Sequence, residues 1–304
     1  RLPRPVMGDL FFDMEGNPME EGGLEYLFGL YIDEPEGQRF LPFWGHSRSE
    51  EKQAFEAFID FVMAHLQRYP AAYIYHYATY EETAIKRLMT QHGTREAQVD
   101  SLLRNGKLID LYKVVREGVV VSEPSYSIKY IEHFYMPSRT GDVTNAGASI
   151  VFYEQWKQTG DPSLLEKIER YNEDDVRSTY LLRNWLLEIK PKETSFYTLS
   201  NLPEEAVTAQ GPTELEQRLE SYRNKLLADL PADEKLWDEH ARANALVFQL
   251  LDFHRRADKP IWWDMFRWQG LDSGELLEDI DCLADLRRTA LKPIQYKRSY
   301  IYQY

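Results

Sequence analysis

The stretch LFFDMEG at residues 10–16 reads as an apolar β-strand that ends in two acids separated by one residue. In a strand, side chains two positions apart point to the same face. Asp13 and Glu15 are therefore expected to project together from the strand end. Two adjacent carboxylates repel each other unless a cation lies between them. The pattern predicts half of a divalent-metal site; the alternative is an ordinary strand end at which polarity rises.

The surrounding sequence predicts a mixed arrangement of strands and helices. The first three of five predicted strands are apolar segments joined by short, turn-like connections, which indicates an antiparallel meander. The five are predicted at Asp9–Met14, Glu25–Ile32, Arg39–Trp44, Ala71–Tyr75 and Lys107–Leu111, the last being alternatively a helix start. Apolar residues at helical spacing predict the helices. These are Ser49–Arg68 with Ser49 as N-cap, Tyr80–His92, Thr94–Asn105, Ser127–Phe134, Ile150–Thr159 and Leu164–Ile189.

This order of elements is that of an α/β domain, expected at residues 1–190. A proline-containing linker is expected at 191–213, followed by a mainly helical segment at 214–304. The helical segment is predicted to hold helices at Glu214–Leu230, Asp233–Arg256 and Pro260–Trp268, then a strand pattern at Arg298–Tyr304 without an evident partner. The strand pattern at one end and the linker-like Arg1–Pro5 at the other suggest a piece of a longer protein.

The composition restricts the class of protein. The chain has 304 residues and a net charge of −14, which argues against a broad basic surface for nucleic acid but leaves room for a local basic cleft. No apolar run approaches the ~20 residues of a membrane span, and no signal core follows the N-terminus. The single cysteine, Cys282, excludes internal disulfides and cysteine-based zinc sites, as expected for a cytoplasmic protein.

A second acid, Glu81, follows the buried strand that ends near His76. Ligands of α/β sheets bind at the carboxyl ends of strands, which makes Glu81 a candidate for the same site as the first pair. Alternatively, Glu81 and Glu82 only stabilise a helix N-terminus. His76 is either a neighbour of the ligands or a buried histidine with its hydrogen bonds satisfied.

A third site lies in the long predicted helix at 164–189. Tyr171 and Asp175 are four residues apart and share a helix face. A tyrosine hydroxyl beside an inward carboxylate can orient a metal-bound water. The alternative is a solvated acidic face formed by the run at residues 173–175.

Together these residues carry a resemblance to a known family. The Asp-x-Glu strand, the acid after the second strand and the late Tyr-x-x-x-Asp helix resemble the three motifs of the DEDDy branch of ribonuclease H-like 3′–5′ exonucleases. The stretches HYATYEETAIKRL, PSYSIKYIEHFY and IERYNEDDVRSTYLLRNWL resemble the exonuclease-like domain of bacterial RecB-like nuclease–helicase proteins. The resemblance covers residues 8–190 and implies a ribonuclease H-like mixed sheet flanked by helices. The family has Asp where this chain has Glu81, whose side chain is one methylene longer.

The resemblance implies metal-dependent 3′–5′ hydrolysis of phosphodiester bonds in nucleic acid, DNA rather than RNA, with two Mg²⁺ or Mn²⁺ ions ~3.5–4 Å apart. Asp13 would bridge the ions, Glu15 and Asp175 would hold the first, and Glu81 would help hold the second. Tyr171 would orient the attacking water. Asp110 in place of Glu81, and Asp174 in place of Asp175, are the alternative ligands.

Basic residues near these motifs are candidates for phosphate contacts, although each could equally be an ordinary solvated charge. They are Lys86, Arg87, Lys129 and Arg139. The implied partners are nucleic acid and, in the same full-length protein, RecB-type nuclease and superfamily 1 helicase domains. The alternative function is a catalytically weak or silent scaffold that binds DNA or docks those domains. A sugar or small-phosphate hydrolase is poorly supported, because the sequence has no phosphate-binding glycine loop.

Overall fold

A computed structural model of the chain describes most of its residues. They are 2–34, 37–137, 146–197, 214–231, 236–251, 253–270, 276–277, 283, 286–297 and 299–302. The chain divides into two compact units, Arg1–Phe253 and His254–Tyr304. This division lies beyond the predicted linker at 191–213, of which the structure describes residues 191–197.

A five-stranded mixed sheet forms the centre of the first unit. Its strands are β1 (Leu10–Asn17), β2 (Leu24–Glu34), β3 (Gly37–Trp44), β4 (Ile74–His76) and β5 (Leu108–Asp110). Their order is β3-β2-β1-β4-β5. The first three strands pair antiparallel, which confirms the predicted meander, and β4 joins β1 in parallel and β5 in parallel. The predicted α/β class with a mixed sheet is confirmed.

Helices cover the sheet and continue beyond it. In the first unit they are α1 (Arg48–Arg68), α2 (Tyr80–His92), α3 (Glu96–Arg104), α4 (Leu111–Gly118), α5 (Ile128–Ile131) with a 3₁₀ turn at Glu132–Phe134, α6 (Ala146–Thr159), α7 (Pro162–Ile189), α8 (Glu214–Leu226) and α9 (Glu239–Leu250). Helix α10 (Phe253–Gly270) starts at the unit boundary, and a hairpin of β6 (Ile294–Tyr296) and β7 (Ser299–Ile301) follows. None of the helices in the described part of the chain is long and apolar enough to span a membrane.

Two details predicted for these elements were wrong, and one ambiguous segment contains both of its predicted alternatives. The N-cap of α1 is Ser47, not Ser49, because its extended backbone lets its hydroxyl accept the Glu50 amide. The strand candidate at Lys107–Leu111 contains both predicted alternatives: β5 runs into α4 at Leu111. The predicted strand at the chain end does have a partner, since β6 pairs with β7.

The helices of the C-terminal region also differ from prediction. The prediction of one helix over Asp233–Arg256 was wrong. Asp238 caps α9 by accepting the Ala241 amide at 2.7 Å, and α9 ends at Leu250. The aromatic stretch Pro260–Trp268 lies inside the longer α10 rather than forming a helix of its own.

The two faces of β1 pack against different helices. Phe12 stacks on Phe58 of α1 at 4.4 Å between ring centroids. Phe11 meets Tyr180 of α7 edge-on at 5.1 Å. Since side chains alternate along a strand, the odd-numbered residues of β1 face α7. This alternation directs Asp13 and Glu15 toward the long helix.

Helix α7 is fixed at both its start and its later turns. Asp161 caps it by accepting the Ser163 amide at 2.9 Å, and Pro162 occupies the first turn, where a missing N–H costs nothing. Near its other end, the buried Arg183 guanidinium donates to Asp9 at 2.6 Å. The helix is thereby held across β1, with its middle turns beside the strand's carboxyl end.

Candidate metal centre

Three carboxylates meet where β1 ends beside the middle of α7. Asp13, Glu15 and Asp175 each offer an oxygen, and these oxygens lie within 4.8 Å of one another. Glu15 is buried, with 5% of its surface exposed, whereas the other two are half-buried. The structure therefore brings together the predicted Asp-x-Glu pair and the predicted helix carboxylate.

Asn172, one turn before Asp175, supports the strand carboxylates. Its amide donates to Asp13 Oδ2 at 2.8 Å and also hydrogen-bonds Glu15. Asn172 fits only because Gly29 lies opposite Asp13 on β2, where a Cβ would come within 1.7 Å of the Asn172 Oδ1. Gly29 thus makes room for the amide that holds both acids in place.

A second support reaches Glu15 from α6. The Ser149 hydroxyl hydrogen-bonds Glu15 and lies 2.7 Å from the Tyr26 hydroxyl. Tyr26 in turn stacks on Tyr153 of α6 at 3.8 Å between ring centroids. These contacts hold the Glu15 side chain from α6, in addition to the Asn172 amide on α7.

Burial and mutual repulsion make the cluster hard to ionise. Burial is the largest cause that raises the pKa of Asp13 well above its usual value, and the charges of Asp175, Glu81 and Glu15 add to it. Burial, followed by Asp175, raises the pKa of Glu15 to about 8. Carboxylates in this state gain more from a nearby cation than exposed ones do.

Tyr171 lies beside this cluster on the same face of α7. It is 5% exposed and hydrogen-bonds Asp175, four residues further along the helix. Burial, and then the charges of Asp175 and Glu15, raise the pKa of the phenol above its usual value. Tyr171 therefore stays a neutral hydroxyl that can donate a hydrogen bond.

Glu81 lies outside the group of three. It is buried on α2, and its Oε2 is 3.5 Å from His76 Nδ1. The charge of Glu81 contributes to the raised pKa of Asp13. The predicted second-motif acid is thus near the cluster without joining it, and His76 is the buried neighbour rather than a member of the group.

The alternative ligands considered from the sequence have other positions. Asp110 caps α4, and its Oδ1 accepts the Tyr112 amide at 2.9 Å and the Ala78 amide at 2.8 Å. It thereby fixes the turn that leads into α2. Asp174 is half-buried on α7, but the three-carboxylate group contains Asp175 instead.

The candidate basic residues divide by their contacts. Lys129 Nζ donates to Asp175 Oδ1 at 2.5 Å and lies 4.8 Å from the centre of the Tyr171 ring. Lys86 pairs with Glu82 at 2.7 Å, and Arg87 pairs with Glu25. Arg139 lies outside the described residues. Of the candidates in the described chain, the structure brings Lys129 to the carboxylates.

A cavity of about 280 Å³ opens onto this cluster. Asp13, Asp175, Tyr171 and Lys129 line it together with Tyr77, which follows β4. The cavity therefore presents acids, a neutral phenol and an ammonium to the same volume.

Comparison with known families agrees with this geometry. A family model described as RNase_H superfamily matches residues 10–187. The chain belongs to the RNase H superfamily. The match spans β1 through α7, which are the elements that carry the carboxylate cluster. The comparison with curated proteins found no match.

Members of the RNase H superfamily are typically nucleases that use divalent metal ions, and the residues of this RNase H-like domain fit such an ion. The donors are carboxylate oxygens, which Mg²⁺ and Mn²⁺ prefer. Glu15 is buried among like charges, with a raised pKa, and a cation would relieve the repulsion. The oxygens of these three carboxylates therefore have the chemistry and the spacing to coordinate a divalent ion.

Sequence reasoning missed the residues that position these acids. Asn172, Ser149 and Gly29 touch the cluster or make room for it, yet none carries a charge. One signal was available: Asn172 is three residues before Asp175, a spacing that places both on one side of the helix. The need for glycine at 29 depends on strand register, which single-residue patterns do not reveal.

Proposed function

We propose that this chain is a metal-dependent 3′–5′ exonuclease of the DEDDy type, acting on DNA by a two-metal mechanism. The observation that carries the proposal is the convergence of Asp13, Glu15 and Asp175 within 4.8 Å beside the buried hydroxyl of Tyr171. A lone acidic cluster is common on protein surfaces. Here it lies at a strand end, in a cavity, in a domain of a superfamily whose members are typically nucleases.

The residues have separate parts in the proposed reaction. Asp13, Glu15 and Asp175 would hold divalent ions, with Glu81 contributing directly or through water. Bound divalent ions supply an activated water nucleophile and stabilise charge on the leaving oxygen. The neutral Tyr171 hydroxyl would donate a hydrogen bond that orients the attacking water. Asn172 would keep the two strand carboxylates in the orientation that ligation requires.

The proposed substrate contact is also local. The net charge of −14 makes long-range attraction of a polyanion unfavourable. Lys129, at the rim of the carboxylates, would contact a phosphate within the cavity. Lys86 and Arg87 would contribute less, because both are engaged in ion pairs with glutamates.

One observation favours a second candidate function. Glu81 lies outside the three-carboxylate group and beside His76, which would weaken a second metal position. The domain would then be a catalytically weak or silent scaffold that binds DNA or docks RecB-type nuclease and helicase domains of a longer protein. A measurement of nuclease activity separates the two functions.

The test follows the degradation of oligonucleotides labelled at either end. With Mn²⁺ or Mg²⁺, a 5′-labelled strand is expected to give a ladder of shortened products, and a 3′-labelled strand is expected to release its label at once. Asp175→Asn should abolish both signals, whereas Asp174→Asn, at the preceding position, should leave them. Internal cleavage alone would contradict the exonuclease, and no cleavage by the wild-type protein would favour the scaffold.

A further inference from the structure

The ammonium of Lys129 contacts a carboxylate oxygen of the proposed metal centre. Lys129 is on the short helix α5, and its Nζ donates to Asp175 Oδ1 at 2.5 Å. It also lies over the Tyr171 ring, at 4.8 Å from the ring centre. The lysine thus contacts the carboxylate and the phenol that α7 contributes to the proposed site.

This contact conflicts with ion binding at the same carboxylate. Asp175 is one of the three acids whose oxygens lie within 4.8 Å of one another. An ammonium and a divalent ion compete for carboxylate oxygens, and two cations held by the same carboxylate repel each other. Full coordination by Asp175 therefore requires that the Lys129 ammonium move away.

The structure offers Lys129 a second acceptor close by. Its Nζ is 3.9 Å from Glu132 Oε1, one turn along the chain. Glu132 is nearly buried and is fixed by the Ser178 hydroxyl, which donates to the same oxygen at 2.9 Å. The lysine stem is flexible, and its side chain is 31% exposed, so the ammonium can leave Asp175 and still reach the cavity.

We propose that Lys129 competes with the divalent ion for Asp175 and, once displaced, contacts the substrate phosphate, so that metal and nucleic acid each favour binding of the other. This inference rests on the proposed nuclease function. The coupling is reciprocal: a phosphate that draws Lys129 away from Asp175 also frees that carboxylate for the ion. Lys129 acts here as a positioning residue for the metal and as a phosphate contact for the substrate.

The first measurement is calorimetric titration of the full chain with Mn²⁺ in the absence of nucleic acid. Lys129→Met keeps the length of the side chain and removes the competing charge, so the Mn²⁺ dissociation constant is expected to fall by about fivefold or more. Lys129→Arg retains the charge and should stay near the wild-type value. Lys157→Met is the matched control, because Lys157 also pairs with a carboxylate, Glu154 at 3.2 Å, and has similar exposure.

The second measurement is binding of a fluorescein-labelled oligothymidylate in Ca²⁺, followed by anisotropy. Lys129→Met should weaken this binding several-fold and reduce its salt dependence by about one phosphate contact. In the wild-type protein the oligonucleotide should also tighten binding of Ca²⁺, and this tightening should disappear in the variant.

The direction of the metal effect separates competition from structural damage. A lysine needed only for folding would give weaker Mn²⁺ binding on removal, whereas competition gives tighter binding. Unchanged or weaker binding in Lys129→Met, with Mn²⁺ bound by the wild type, would overturn the competition and leave the metal centre intact. If no variant and no wild-type protein binds Mn²⁺, the proposed function fails as well. Should Lys129→Met not fold by circular dichroism, Lys129→Gln is subject to the same criteria.

Discussion

Where β1 packs against α7, the carboxylates at the two ends of the strand have opposite surroundings. At one end Asp9 Oδ2 accepts from Arg183 at 2.6 Å and from the Val6 amide at 3.1 Å, while Oδ1 accepts from the Tyr73 amide. At the other end three acids share the Asn172 amide and the Lys129 ammonium. A neutralised acid therefore lies directly before β1, whereas the other end of the strand and α7 carry a cluster with excess negative charge.

The difference shows which end is structural. Asp9 and Arg183 are both almost fully buried, and burial is the main cause that raises the pKa of Asp9 while its hydrogen bonds and Arg183 lower it. The charge of Asp9 is balanced by Arg183 without a cation from solution. The cluster of Asp13, Glu15 and Asp175 has more carboxylates than cations, so it is stable as a charged site only with an added cation. Negative charge that is kept in excess, while hydrogen bonds hold the carboxylates in place, is typical of an ion-binding site rather than of a structural one.

The largest expected effect comes from the same substitution, aspartate to asparagine, at each end. Asp13→Asn should lower nuclease activity by about 10³-fold or more, since a metal ligand contributes several kcal/mol to the transition state. It should not lower the free energy of unfolding, because it removes a repelled charge. Asp9→Asn should keep activity within a few-fold and lower the free energy of unfolding by about 3 kcal/mol, because the buried Arg183 loses its close carboxylate partner and keeps only Asp33, at 3.8 Å.

The measurements are initial rates on a labelled oligonucleotide and urea unfolding of both variants under the same conditions. The comparison breaks if Asp9→Asn loses activity while it remains folded. It breaks equally if Asp13→Asn is strongly destabilised, because the strand carboxylate would then be a structural element like its counterpart.

The next effect is the pH dependence of stability that Glu15 contributes. Glu15 titrates near 4.5 in the unfolded chain and at about 8 in the fold. Between these values the folded protein holds a proton that the unfolded chain has lost, so the free energy of unfolding falls as the pH rises. In chelator the decline due to Glu15 should be on the order of a few kcal/mol from pH 4.5 to 8.

Urea unfolding at several pH values measures this decline. Glu15→Gln should remove it, and Glu166→Gln, a change at an exposed position of the same helix α7, should retain it. Mn²⁺ should restore the stability of the wild type at pH 8, because the ion binds the ionised cluster. A wild-type profile that matches Glu15→Gln would contradict the raised pKa.

Much of this comparison could be read from the sequence because it depends on local periods. The two-residue repeat placed Asp13 and Glu15 on one face of a strand, and the four-residue spacing placed Tyr171 and Asp175 on one face of a helix. Helix α2 was predicted to its exact ends, with Gly93 in the left-handed conformation that closes it. Strong local signals, each contained in a few residues, determined these features.

The supports of the cluster could not be read in this way because they join distant positions. Gly29 faces Asn172 across 143 residues of chain, and Ser149 reaches Glu15 from another helix. The position of Glu81 outside the cluster is likewise a tertiary result: its neighbour is His76, and the turn between them is held by Asp110. Residue type gives no indication of such distances.

A smaller effect tests the support on the β2 side. Gly29→Ala would place a methyl group 1.7 Å from Asn172 Oδ1, so the amide must move away from Asp13. The overpacked site should cost about 1–3 kcal/mol in the free energy of unfolding and weaken Mn²⁺ binding. Gly118→Ala is the control, because its Cβ would enter open space at the end of α4. An equal loss of stability in both variants, with Mn²⁺ affinity unchanged, would show that Asn172 does not depend on the close approach.

The smallest effect concerns the lysine on α2, which the sequence did not distinguish from Lys129. The Lys86 ammonium is 2.7 Å from Glu82 in a partly exposed pair on one helix, a contact worth about 0.3–0.5 kcal/mol. Lys86→Met should therefore change unfolding by no more than this and oligothymidylate affinity in Ca²⁺ by less than about twofold. If the variant instead lowers the salt dependence of oligothymidylate binding by one phosphate contact, Lys86 leaves Glu82 to contact the substrate. An ion pair with a neighbouring glutamate would then not distinguish a structural lysine from one that binds phosphate.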